Sequence, residues 1–489
     1  MARELLLPLD PDPARPLHRQ VYEHLRQAIL SGRLRPGERL PSTRQAARRL
    51  RLARNTVARA YEDLESEGYL EGRVGSGTYV PRALPEELLH GAVTAEPAPL
   101  PALPSRPLSA WGTRAFVDSA IPQPSLERVQ FDFTPGQPDW DAFPRALWRR
   151  LLGHAWLRGD LGRLGEPAGY RPLREALASY LAASRGVVCS AEQIVVVNGT
   201  QQALDLVGRL WLDPGQRVAL ESPGYPGARR AFQAYGAETL PLPVDAEGAQ
   251  VDRLASMQGV RLVSVTPSHQ YPTGAVLSLE RRLRLLDWAE RSGALVLEDD
   301  YDSEFRFAGR PLASLQGLDR GGRVIYLGTF STVLLPPLRL GYAVLPLDLV
   351  DAFARGKSLA DSQTATAEQE ALAEMLRQGH FARHLRRMRR LYQERRAVLL
   401  AGLARHLGGL ATWRDSGAGL HIMLTLRAGQ AEADAAQRTA QAGIDVGRTA
   451  PCWVGAPEYA ALLLGYTALP TDRIDAGLRH LARALEKQG

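Results

Sequence analysis

The sequence predicts a two-part α/β protein. Three short helices and a hairpin come first; a larger domain with a mostly parallel sheet and helices on both faces follows. Three observations carry this reading. Nine arginines and a single acid, Glu38, fall between Ser31 and Arg59, on helical patterning. Seven prolines crowd residues 81–107. From about residue 130, short apolar runs alternate with helical stretches.

Composition sets the outer limits. At 489 residues, 45% hydrophobic and 23% charged, the chain is ordinary globular protein of two to four domains. Cys189 and Cys452 lie far apart, which fits a reducing compartment and gives no metal-ligand cluster. No apolar run is long enough to span a membrane, and MARELLLPLDPDP is too short in apolar residues for a signal peptide. The expected location is the cytoplasm. The net charge is +7, and only two of the 60 basic residues are lysines, Lys357 and Lys487. Chemistry that needs an amine therefore has few candidates.

The first helix is expected over Leu17–Ser31. Leu17, Val21, Leu25 and Ile29 recur at four-residue spacing, and Gly32 stops it. Ser42 and Gln45 form a capping box that opens a second helix, ending near Leu50. A third runs from about Asn55 to Glu67, with Val57, Ala60, Tyr61 and Leu64 as its buried stripe. YLEGRVGSGTYV then reads as two short strands around Gly75-Ser76-Gly77.

Three helices and a basic hairpin make a winged helix-turn-helix, whose third helix enters the major groove. Arg54, Asn55, Thr56 and Arg59 belong to that helix, and arginine and asparagine can pair with base edges in bidentate fashion. Arg44 suits a phosphate. Arg73, Gly75, Ser76 and Gly77 form the wing. Charge alone leaves a solvated helix face open, and a winged helix can also serve protein contacts. The segments GRLRPGERLPSTR, RNTV and EGYLEGRVGSGTYV resemble the DNA-binding domain of GntR-type regulators over about residues 15–80. Ala53 departs from that pattern, which often has serine there. The implied partner is double-stranded operator DNA.

Residues 81–107 read as a semi-extended tether between the DNA-binding domain, 1–80, and the large domain. Beyond it, strands are expected at 194–197, 217–221, 261–265, 294–298 and 324–328. Ligands of such sheets collect at the carboxyl ends of strands. The residues there are Asn198-Gly199-Thr200-Gln201-Gln202, then Tyr225, then TPSHQYPTG, then Asp299 to Asp302, then Thr329, Ser331 and Arg339. A phosphate-binding turn, aromatic rings, a carboxylate and an arginine suit a flat, phosphorylated, nitrogen-containing ring.

The motifs FDFTPGQPDWDAFP, GYRPLREALASYL, NGTQQALDL, ESPGYPG, TPSHQYPTG, EDDYDSEF and LLPPLRLGY resemble a fold-type I aminotransferase, as used in the MocR subfamily of GntR regulators. The resemblance implies a large domain over 108–350 and a smaller α+β domain over 351–489. It implies pyridoxal phosphate, with Asp299 on the pyridine nitrogen, Tyr301 on the ring hydroxyl and Tyr225 stacked on the ring. Gly199, Thr200, Ser331 and Arg339 hold the phosphate, Gln201 and Thr329 also bind the cofactor, and His269 and Tyr271 lie beside the ring. Asp300 and Asp302 can be plain turn residues. It also implies a homodimer and a small-molecule effector.

The chain departs from that pattern where it matters most. The family reads T-F-S-K, and the lysine forms a Schiff base; here the run is Thr329-Phe330-Ser331-Thr332. A threonine hydroxyl cannot form an imine. Lys357, the nearest lysine, is expected on a helix surface. Some relatives hold an effector carboxylate with an arginine before the LLLGY-like strand; Tyr459 aligns near that place, with Arg448 upstream. The expectation is a regulator that lacks transaminase activity and holds pyridoxal phosphate or a related vitamer without a covalent bond. The alternatives are an active aminotransferase with an accessory DNA-binding domain, and a constitutive DNA-binding protein with a vestigial pocket.

Overall fold

A computed structural model describes residues 16–73, 76–84, 106–117, 129–157, 163–309 and 313–486. The chain forms two compact units, Met1–Arg106 and Pro107–Gly489.

In the first unit, helices span Leu17–Leu30, Thr43–Leu50 and Arg54–Ser66. The Ser42 side chain accepts from the Gln45 N–H at 3.3 Å, and Gln45 Oε1 accepts from the Ser42 N–H at 3.2 Å. That reciprocal pair satisfies two donors the helix start leaves free. Ala53 caps the third helix without a side-chain bond. Val57, Ala60, Tyr61 and Leu64 are all buried against Val21, Leu25 and Ile29. β1 (Glu71–Arg73) and β2 (Gly77–Tyr79) pair antiparallel. Val80 and Leu84 are also buried in this core, so the unit runs past the expected boundary at residue 80. Gly75 and most of the expected tether lie outside the described residues.

The second unit holds two sheets. The larger comprises β4 (Ile194–Val197), β5 (Arg217–Ser222), β6 (Glu238–Asp245), β7 (Gly248–Ala249), β8 (Val260–Val265), β9 (Leu295–Asp300), β10 (Val324–Thr329) and β11 (Gly341–Val344). Its order is β4-β11-β10-β9-β8-β5-β6-β7. All five expected strands are present and run in one direction. β11, which the sequence reading missed, runs opposite to both neighbours and inserts between β4 and β10. Ile194 and Val196 enter one apolar cluster, Val195 and Val197 the other. Both faces are thus buried, as the continuous apolar runs require.

The smaller sheet holds β12 (Ala411–Trp413), β13 (His421–Leu426), β14 (Ile444–Arg448) and β15 (Ala461–Gly465). Its edge strand is β3 (Phe131–Phe133), which pairs parallel with β14. A division at residue 350 therefore does not separate the sheets, because the small one borrows a strand from upstream. The helix Leu347–Asp361 also crosses that division.

Candidate functional site

The first candidate surface belongs to the N-terminal unit. Arg54, Asn55 and Arg59 are exposed on the third helix, and Thr56 is half-buried beside them. Arg44 is exposed in the first turn of the second helix, and Arg48 and Arg49, two more of the nine arginines in this stretch, are exposed in its last turn. Arg73 differs. Its guanidinium binds Glu71 at 2.5 Å and sits over the Tyr79 ring, so it is partly committed within the wing. The Ser76 hydroxyl bonds the Tyr79 hydroxyl at 2.6 Å. Gly77 has φ +116°, and a Cβ there would lie 2.9 Å from Arg39 Nε. Arg39 thus joins the wing surface by packing against a glycine.

The second is a cavity of about 310 Å³ at the carboxyl edge of the large sheet. Thr200, Gln201, Tyr225, Tyr271, Asp299, Tyr301, Thr329, Ser331, Thr332 and Arg339 all line it. Strand order brings them together: β11 carries the end of β10 next to the end of β4, with Gly341 opposite Val197. Arg339 follows a short 3-10 turn, has φ +51°, and donates from Nη2 to the Asn198 carbonyl at 2.7 Å. Its guanidinium rests on Gly199, where a Cβ would come within 2.6 Å, and Gly199 itself has φ +80°. Only glycine serves there, on both counts. The helix Thr200–Trp211 begins at this point, so N–H groups of its first turn and a guanidinium converge as an anion site.

Asp299 is buried, and its Oδ1 has no hydrogen-bond partner. Burial, helped by the carboxylates of Asp300, Asp302 and Glu221, pushes its pKa up to about 7. A buried carboxylate oxygen without a donor calls for a ligand N–H. Tyr301 stands beside it, with its hydroxyl 2.9 Å from His269 Nδ1, and the same nitrogen lies 2.9 Å from Asp302 Oδ2. A carboxylate accepts, so Nδ1 carries the hydrogen and Tyr301 oxygen can only share it. His269 and Asp302 thus fix the Tyr301 hydroxyl at the cavity wall. His269 is therefore one residue removed from the cavity and orients Tyr301. Asp300 and Asp302 are not solvated turn residues. Asp300 accepts from the Tyr326 hydroxyl at 2.5 Å and faces Arg185, and both aspartates are buried.

Thr332 lines the cavity, and its hydroxyl donates to the Tyr301 carbonyl at 2.5 Å. No lysine is among the lining residues. Lys357 is not on a surface: it is fully buried and ion-paired with Asp361 at 2.8 Å. Tyr459 packs edge-on against Trp453, Arg448 pairs with Glu432, and neither lines the cavity. The sequence reading missed Pro135, Gly136, Thr266, Pro336, Leu420 and His421. His421 donates from Nε2 to the Pro272 carbonyl at 3.0 Å, and burial holds its pKa down to about 4. A lone histidine in the apolar run GLHIML gave no signal for this. FDFTPGQP, which supplies Pro135 and Gly136, was visible as a motif without a role.

Comparison with known proteins follows the same division. The model of bacterial regulatory proteins of the gntR family matches residues 17–80, and that of aminotransferase class I and II matches residues 130–452. The probable rhizopine catabolism regulatory protein MocR of Rhizobium meliloti is 41% identical over 490 residues, 99% of this chain and 97% of that protein. The pyridoxine biosynthesis transcriptional regulator PdxR of Corynebacterium glutamicum is 34% identical, with 82% and 81% covered. Among solved structures, the α-aminoadipate aminotransferase LysN of Thermus thermophilus, complexed with N-(5'-phosphopyridoxyl)-L-leucine, aligns with TM-score 0.72 at 30% identity. That alignment covers 78% of this chain and 97% of LysN.

Fold and matches together define a DNA-binding transcriptional regulator with an aminotransferase-like domain. Within that class the chain belongs to the MocR-type regulators of the GntR family. The aminotransferase fold is that of a pyridoxal-phosphate-binding family, and the residues present fit the group. The unpartnered Asp299 oxygen suits a ring nitrogen, and the Gly199–Arg339 cradle suits a phosphate. Among the described residues, no helix is long and apolar enough to cross a membrane.

Proposed function

We propose that this regulator binds pyridoxal phosphate or pyridoxamine phosphate reversibly, as a signal, and does not transaminate. One observation carries the reading. The cavity keeps its cradle, its carboxylate and its phenol, yet residue 332 is a threonine whose hydroxyl is already spent on the Tyr301 carbonyl.

When bound, the cofactor supplies an electron-withdrawing ring and an aldehyde or amine; the protein holds it. Gly199, Thr200, Gln201, Thr329, Ser331 and Arg339 take the phosphate, where charge-assisted bonds are strongest. Asp299 would hold a proton on the ring nitrogen, Tyr301 would donate to the ring oxygen, and Tyr225 would lie against the ring. Transamination needs an amine to attach the cofactor and to move a proton. No lining residue offers one. Two chains assembled through this domain present two DNA-binding units, and matched half-sites raise operator affinity through effective concentration. The operator places the chain with the chromosome, in the cytoplasm.

The test is titration of the full chain with pyridoxal phosphate, read by visible absorbance and calorimetry, then borohydride reduction and intact mass. Saturable binding with unchanged mass supports the reading. A reduced covalent adduct, or amino-donor turnover at rates typical of aminotransferases, favours an enzyme with an accessory DNA-binding domain. No binding leaves a vestigial pocket.

A further inference from the structure

Lys357 lies in the helix Leu347–Asp361, outside the cavity lining. Burying an ammonium is costly unless it is paired, and burial holds its pKa below the usual lysine value. Its Nζ donates to both oxygens of Asp361, at 2.8 and 3.1 Å. The same carboxylate, through Oδ2, accepts from Asn198 Nδ2 at 2.6 Å and from Gln202 Nε2 at 2.7 Å. The Asn198 N–H donates to Gln202 Oε1 at 2.7 Å, and the Asn198 carbonyl accepts from Arg339 at 2.7 Å. An unbroken run of bonds thus leads from Lys357 to Arg339. It brackets Gly199, Thr200 and Gln201, where the helix Thr200–Trp211 begins.

We infer that the Lys357–Asp361 pair is a positioning element that makes the cavity select ligands bearing a phosphate monoester. This rests on the cofactor reading above. Two effects combine. Asp361 fixes both side-chain amides, and with them the peptide that holds Arg339. Lys357 neutralises Asp361, whose bare carboxylate beside the anion site would repel a phosphate dianion through a medium that screens poorly. A purely structural pair predicts something different: losing it would lower stability and weaken every ligand of the cavity alike.

The experiment compares pyridoxal phosphate with pyridoxal, which keeps the ring and lacks the phosphate. Affinities are measured by calorimetry on the full chain, with circular dichroism to check folding. Lys357→Met is expected to weaken pyridoxal phosphate about tenfold or more while pyridoxal stays within about twofold, since only the phosphate carries the opposing charge. Asp361→Asn keeps an amide acceptor and removes the negative charge, so the preference for the phosphorylated vitamer stays within about threefold of the parent or rises. Equal weakening of both vitamers in Lys357→Met overturns the inference. Should that variant fold poorly, Lys357→Gln replaces it with the same two readings: about a tenfold loss of preference for the phosphorylated vitamer supports the inference, and equal weakening of both vitamers overturns it. A parent chain that binds both vitamers equally overturns this inference alone. One that binds neither overturns the cofactor reading and this inference with it.

Discussion

The arginines of the second and third winged-unit helices and those buried in the aminotransferase-like unit are used in opposite ways. In the winged-helix unit, Arg44, Arg48, Arg49, Arg54 and Arg59 are exposed, and among the described residues none makes an ion pair. In the aminotransferase-like unit, Arg185 is buried between Asp300 and Glu304, Arg395 binds Asp139, and Arg281 binds Asp245 at 2.7 Å. A charge left solvated and unpaired costs the fold little and stays available to a polyanion. A buried charge must be matched internally. Arg339 is the informative exception. It lines the cavity, and among the described residues its hydrogen-bond partner is a backbone carbonyl, which leaves the rest of its guanidinium open to a ligand.

The largest expected effect tests whether the cavity lacks only its lysine. Thr332→Lys is expected to convert a chain with no covalent vitamer into one that, after borohydride, gains the mass of one reduced cofactor. An unchanged mass would show that the cavity cannot present an amine to the ring.

The exposed side of the comparison is tested at the operator. Arg54→Ala or Asn55→Ala is expected to cost about 1–3 kcal/mol, roughly 5–160-fold in affinity, with relaxed specificity at one base position. Arg44→Ala should weaken all sequences alike and reduce the salt slope by about one. Equal behaviour of the two classes in a salt-titrated binding assay would break the distinction.

Asp299→Asn probes a buried, unmatched charge. Vitamer affinity should fall about 10–100-fold, the worth of a charged hydrogen bond of about 1.5–3 kcal/mol. Stability should move the other way. The folded-state pKa, about 7, lies above the ordinary carboxylate value. The ligand-free parent is thus favoured at low pH and loses stability as pH rises through about 7. The variant removes that loss, so its Tm advantage should widen between about pH 4 and pH 7 and level off above. A constant difference in thermal melts would mean that folded Asp299 is already charged throughout that range, as it is in the unfolded chain.

The smallest effect is at the third helix of the winged unit. Ala53 has the extended backbone of an N-cap, φ −63° and ψ 141°, but no capping oxygen. Ala53→Ser should stabilise the unit by about 1 kcal/mol in denaturant unfolding, without altering which bases are read.

The sequence by itself determined the local elements and named most of the residues that line the cavity. Four-residue apolar spacing, a capping box and glycine stops located three helices to within a residue or two, because those signals act over one helical turn. Strand-end residues such as Asp299, Tyr301, Ser331 and Arg339 were legible because binding groups in parallel sheets sit where strands end. What only the tertiary structure decided was adjacency. β11 had no partner readable in the chain, yet its insertion brings Arg339 onto Gly199. β3 joined a sheet formed more than 270 residues later, which set Pro135 and Gly136 at the cavity. Lys357, at a position patterned like a surface, became a buried ion pair because Asp361 and two distant amides met it. Contacts between residues far apart in sequence depend on sheet order and packing. Neither leaves a periodic trace in the chain.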